Sequence, residues 1–202
     1  MSIFLTKLAV RANETRTCTA CSLRSEASTP VPWDGPRDAK LMIVGRNPGR
    51  QEDKEGIPFY PHAPGGRMLM TALAAAGLER RNFIITNLVK CYTTNDRPPE
   101  DNPIDVCYNR HLIKEVLLFK PDMMLLLGND AFRKVVNVTD SVTQCRQTWF
   151  AVNFEDAHEL YSCYAMGTWH PGSAVRQTRA REEMIADIRW LAGHLTQSPP
   201  TS

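Results

Sequence analysis

"VGRNPGRQED", Val44 to Asp53, follows directly on the apolar run "AKLMIVG" at 39–45. A buried strand that leaves onto Gly-x-Asn-Pro-Gly makes a tight turn, because glycine permits positive φ and close approach of other atoms, while proline fixes its own φ. Three further apolar runs have the same character: "FIITNLV" (83–89), "DMMLLLG" (122–128) and "CYAMGTW" (163–169). Short continuous runs of this kind suit a parallel sheet covered on both faces. Helical patterns separate or follow them at 65–78, 103–119, 129–137 and 178–195. Strand alternating with helix predicts an α/β fold: a three-layer α/β/α sandwich with a short, mostly parallel central sheet. Ligands of such sheets bind outside the carboxyl ends of the strands. Gly45, Asn87 and His170 each fall at one of these ends, so the turn and two polar side chains are expected to share one crevice.

A chain of 202 residues, 43% hydrophobic, can bury one good core, and a single domain over 1–196 is expected, with a disordered tail at 197–202. No apolar run approaches the roughly 20 residues needed to span a bilayer. The first residues carry charges where a signal peptide would need a cleavage region. The expectation is a soluble, cytoplasmic monomer without a membrane partner. A formal net charge of +2 does not require a polyanion. Arg16, Arg24, Arg80, Arg81, Lys90, Arg176, Arg179 and Arg181 could still form a local basic face for nucleic acid.

Cysteine usage is the second signal. Cys18 and Cys21 form a C-x-x-C pair, Cys91 follows a predicted strand end, and Cys107 lies early in a predicted helix. Cys145 and Cys163 stand apart, and Cys163 reads as a small buried hydrophobe. A structural disulfide is improbable in an intracellular chain, so the pair argues for a metal held by Cys18, Cys21, Cys91 and Cys107. Four thiolates suit tetrahedral zinc or a [4Fe-4S] cluster, and spacing alone leaves both open.

The order C-x-x-C, "GRNPGRQEDKEGIPF" (45–59), "TNLVKC" (86–91), Cys107, "PDMMLLLG" (121–128) and "HPG" (170–172) resembles the iron-sulfur uracil-DNA glycosylases called family 4. The resemblance spans about 18 to 190, and six blocks in order are far more specific than any one of them. It implies the sandwich fold, a [4Fe-4S] cluster in preference to zinc, DNA as partner, and hydrolysis of the N-glycosidic bond of deoxyuridine.

The expected chemistry follows from the residues. A base inside a duplex must be extruded into a pocket before it can be attacked. Phe59 is the candidate stacking platform, worth about 1–3 kcal/mol per base. Asn87 is the candidate reader, since one carboxamide can accept from uracil N3–H and donate to O4, whereas cytosine presents the opposite pattern. His170 is the candidate donor to uracil O2, where negative charge develops as the bond breaks. Glu52, inside the first motif, and Arg46 are counted with the substrate-binding residues.

Two departures stand out. Family 4 chains usually read G-E-[AG]-P-G, but this chain has Arg46 and Asn47. The G-x-N-P-G form resembles the mismatch-directed uracil and thymine glycosylases, which implies that Asn47 orients the attacking water. Arg46 is expected at a DNA phosphate or over the pocket mouth. After His170 the family often reads H-P-x-x-L-L-R, with leucine as a wedge, whereas "HPGSAVR" offers Ala174 and Val175 as smaller wedges and Arg176 for phosphate or the orphan base. A small wedge favours single-stranded DNA or a U:G pair. The alternatives are an iron-sulfur DNA-binding or redox module without activity, which would not need Asn47, Phe59, Asn87 and His170 to converge, and a glycosylase for another pyrimidine. A uracil-crosslinking relative would need a histidine between Lys90 and Pro103, and there is none.

Overall fold

The structure, a computed structural model, describes residues 2–195. The tail expected at 197–202 lies outside the described residues. The chain runs α1 (Ser2–Arg16), β1 (Leu41–Gly45), α2 (Arg50–Glu55), α3 (Pro64–Ala75), β2 (Phe83–Asn87), α4 (Asp101–Cys107), α5 (Ile113–Phe119), β3 (Met123–Leu127), α6 (Asn129–Val136), β4 (Phe150–Glu155), β5 (Leu160–Thr168), α7 (Pro171–Arg176) and α8 (Thr178–His194). A π-helical turn, Tyr108–Leu112, joins α4 to α5, so the helix expected at 103–119 is one continuous helical run with a π turn in its middle.

The sheet order is β2-β1-β3-β5-β4. Four strands are parallel, and β4 adds to β5 antiparallel. The four expected runs are those parallel strands. β1, β2 and β3 are buried at every residue, which is why they read as continuous apolar runs. Alternate residues serve opposite layers. Leu41 and Ile43 join Leu69 and Leu73 of α3 and Met184, Ile188 and Leu191 of α8. Met42 and Val44 join Val116 of α5 and Phe132 of α6. Each fully buried leucine or isoleucine contributes about 1.5–3 kcal/mol, so both faces of the sheet are covered by apolar layers.

Four of these elements were not expected from the sequence: α1, the short helices α2 and α7, and β4. β4 is an edge strand whose alternate residues are covered, so it presents no continuous apolar run. α1 carries no coherent apolar face in sequence, and its buried Thr15 lies 3.4 Å from His111 Nδ1.

Candidate active site

The β1–β2 ladder continues past the strands and fixes the turn. Leu88 N–H donates to Gly45 O and Val89 N–H to Arg46 O, both at 2.8 Å. The next residues, Asn47, Pro48 and Gly49, lead into α2. Two acids in the first turn of α2 tie this segment to its surroundings. Asp53 accepts from Ser28 N–H through both oxygens, at 3.0 and 3.1 Å. The Glu52 carboxylate accepts from Gly49 N–H. Burial pushes Glu52 up, while the N–H groups of Gly49, Phe59 and Tyr60 pull it down and the Asp96 charge raises it. Glu52 lines the cavity, yet these backbone contacts make it the anchor of the bend at Phe59, where φ is +49°.

That bend swings the Phe59 ring back over Gly45. A Cβ at Gly45 would lie 2.6 Å from Phe59 Cε2 and 2.5 Å from Asn87 Oδ1, so the glycine is needed for close approach. Asn87 closes β2 at 1% exposure, and neither its Nδ2 nor its Oδ1 has a hydrogen-bond partner. An unpaired buried amide costs about 1–3 kcal/mol per polar group, which marks a position shaped for something other than the apo fold. Below it, Lys90 Nζ donates at 2.7 Å to Thr86 Oγ1, Asn87 O and Glu115 Oε2. Lys90 and Glu115 are both fully buried, and the pair fixes the backbone that carries Asn87.

His170 lies two residues beyond β5 and caps α7. Its Nδ1 accepts from Gly172 N–H at 3.1 Å, which places the ring proton on Nε2. Its ring centroid is 6.1 Å from that of Phe59. Gly128, at φ +86°, lets the histidine pack closely, since a Cβ there would be 3.0 Å from His170 Cβ. Burial, then the Arg46 and Arg176 charges, hold the imidazole down to about 4. At neutral pH it is therefore an uncharged donor. Thr168 and Trp169, just before it, are tied to α8: Thr168 donates to Asp187 and Trp169 Nε1 to Glu183, both at 2.6 Å.

Arg46, Asn47, Glu52, Phe59, His170, Val175 and Arg176 line one cavity of about 640 Å3. Asn87 is not among the lining residues; its Oδ1 and the Phe59 ring both lie against Gly45, at the edge of this cavity. Arg46 is not free at the mouth: its Nε donates to Asn47 Oδ1 at 2.8 Å, Nη2 to Asp96 O at 3.3 Å, and Nη1 is 3.5 Å from Asp130 Oδ2. Asn47 Nδ2 donates to Pro48 O and to Thr93 Oγ1, each at 3.1 Å. Val175 is 37% exposed, whereas Ala174 is fully buried against the core and cannot serve as a wedge. Thr93 and Asp96, which sequence reasoning missed, come from a loop with positive φ at Asn95 and Asp96. Their only sequence signal is the Asn-Asp pair at 95–96, a residue type that tolerates positive φ.

The expected [4Fe-4S] site is corrected. Among the described residues, no group of three or more Cys, His, Asp and Glu side chains is placed to hold a metal ion. All six cysteines are free. Cys18, Cys21, Cys91 and Cys107 occupy one neighbourhood, close enough for the charges of Cys107, Cys21 and Cys18 to act on Cys91. Burial is the larger effect there, pushing Cys91 up to about 12 and Cys107 to about 11. A thiolate is the form that ligates, and the packing favours the thiol: Cys91 and Cys107 sit in the core with Leu23 and Leu88. Spacing in sequence implied a ligand set that this geometry does not assemble. Cys163 is a buried core residue, as expected.

The family profile described as the Uracil DNA glycosylase superfamily matches residues 32–192, which contain the turn, Phe59, Asn87 and His170. The chain belongs to the uracil DNA glycosylase superfamily. Within that superfamily it is similar to the type-4 uracil-DNA glycosylase of Saccharolobus solfataricus, at 30% identity over 94% of this chain and 87% of the relative. It is also similar to that of Sulfurisphaera tokodaii, at 32% identity over 89% and 82%, and to that of Archaeoglobus fulgidus, at 27% over 93% of each. The profile match, 32–192, contains the whole sheet and every residue that lines the cavity. Among the described residues no helix is long and apolar enough to cross a membrane.

Proposed function

We propose that this chain hydrolyses the N-glycosidic bond of deoxyuridine in DNA, releasing free uracil and leaving an abasic site. By its place in the superfamily it is a DNA repair glycosylase, a hydrolase of N-glycosyl bonds that acts on DNA. The observation that carries the choice of base is Asn87, buried and unpaired at both ends of its amide. Uracil N3–H supplies the donor that Oδ1 lacks, and uracil O4 the acceptor that Nδ2 lacks.

The extruded base stacks on Phe59 and meets the Asn87 amide at its edge. As the C1′–N1 bond breaks, its electron pair stays with N1 and the negative charge spreads onto O2 and O4. His170, neutral with its proton on Nε2, donates to O2 and stabilises that charge more than it does the ground state. A water oriented by Asn47 Oδ1 adds its oxygen to C1′, and its proton ends on the departing base. A carboxamide is too weak a base to deprotonate water first, so Asn47 contributes by placement. Arg176 and Val175, at the exposed rim, meet the DNA backbone and the space left by the flipped base.

Asn87→Asp keeps the shape but replaces the donor facing O4 by an acceptor. Single-turnover excision from a uracil-containing single strand should fall about 10- to 100-fold, the effect of one buried unpaired group. An unchanged rate would remove Asn87 from base reading.

A further inference from the structure

We infer that Arg46 is a positioning residue that fixes the orientation of the Asn47 amide, and so the place of the attacking water. This rests on the reading that Asn47 holds that water. The guanidinium gives each edge a separate partner: Nε to Asn47 Oδ1, Nη2 to the backbone of Asp96, and Nη1 toward the Asp130 carboxylate on α6. Its planar fork is thus pinned from the loop before α4 and from the first turn of α6, and it presents Nε to Asn47 as a fixed donor.

The opposite edge of Asn47 is equally determined. The Thr93 hydroxyl gives its proton to Arg97 O at 2.5 Å, so its oxygen can only accept. Thr93 is fully buried and cannot exchange that proton partner for water. Position 47 must therefore accept on the Arg46 side and donate on the Thr93 side. Of the side chains this size, only asparagine does both, and a flipped amide would face donor to donor and acceptor to acceptor. With Nδ2 occupied by Thr93 and Pro48, Oδ1 keeps one lone pair beyond the Arg46 bond, and this is the one group of the amide open to a water in the cavity. An arginine at 46 and an asparagine at 47 are in this sense one device: the first has its place because the second must not rotate.

A phosphate-binding arginine and a positioning arginine fail differently. Arg46→Met should lower the single-turnover rate at saturating protein by about 10- to 100-fold, as loss of placement does, and leave the half-saturating concentration and its salt dependence unchanged. In an Asn47→Ala background the same change should have no further effect, because residues acting through one another are not additive. Thr93→Val removes the acceptor without touching Arg46 and should reproduce the rate loss; it also serves if Arg46→Met fails to fold. The inference is overturned if Arg46→Met weakens half-saturation and flattens the salt dependence with the maximal rate intact, or if it slows the enzyme equally with and without Asn47. A wild-type rate for Asn47→Ala would overturn the inference and the water assignment together, while leaving uracil excision itself in place.

Discussion

Replacing Gly45 by alanine puts a methyl carbon 2.6 Å from Phe59 Cε2 and 2.5 Å from Asn87 Oδ1. Carbon atoms rest about 3.5 Å apart, so the ring must withdraw by about 1 Å. It has little room to do so. Phe59 is 4% exposed, packs in the core layer with Leu69 and Leu73, and its backbone is bent at φ +49° under the hold of Glu52. Asn87, held through its carbonyl by Lys90, is no freer. Overpacking of this kind costs about 1–3 kcal/mol, a fall in Tm of roughly 2–12 °C for a chain this long. The larger effect should be on chemistry, since the stacking face and the reading amide both move by a distance that lowers rates about 10²-fold. The assay is single-turnover excision from a single-stranded uracil oligonucleotide, run below the variant's melting transition, with abasic sites counted after alkali cleavage. A folded Gly45→Ala protein with the wild-type rate would refute the packing of base platform and reader against this glycine.

Other outcomes follow from the same geometry. His170→Ala should slow excision by about 10² to 10³, as loss of one preorganised donor does, measured by rapid quench. With His170 held down to about 4, the acid limb of the rate profile should fall near pH 4 and not near the usual histidine value. Stability has a matching sign. His111, buried in the core, is lowered to about 3, so between about pH 6.5 and these values the unfolded chain binds more protons, and stability should be lost as pH falls through that window; thermal melts across the range check it. Lys90→Met strands the buried Glu115 carboxylate and should cost about 3–5 kcal/mol, with the double change Lys90→Met and Glu115→Leu recovering most of it in calorimetry.

What was legible in sequence, and what was not, follows from how each feature is buried. The four parallel strands are covered on both faces and announce themselves as apolar runs; β4, covered on one face at the sheet edge, does not. The polar residues at strand ends, Asn47, Asn87 and His170, could be placed because the parallel order sends all those ends to one side. Phe59 needed the resemblance, since its ring reaches the site through a positive-φ bend that composition does not reveal. The partners of Arg46 come from positions 96 and 130, and that of Lys90 from 115, separations at which sequence carries no pairing signal. The same distance misled the reading of the cysteines: their spacing suggested four ligands, while folding buries two of them as packed thiols. Ala174 shows the reverse, a rim position by motif that helix α7 turns into the core.

Release of free uracil is the most direct test. Purified protein in excess over a single-stranded oligonucleotide carrying one uracil, with His170→Ala prepared alongside to exclude a contaminating activity, should yield one free uracil per strand by mass spectrometry, and the abasic strand in equal amount. Protein that binds this oligonucleotide yet releases no uracil, or releases it equally from the His170→Ala preparation, would contradict the account.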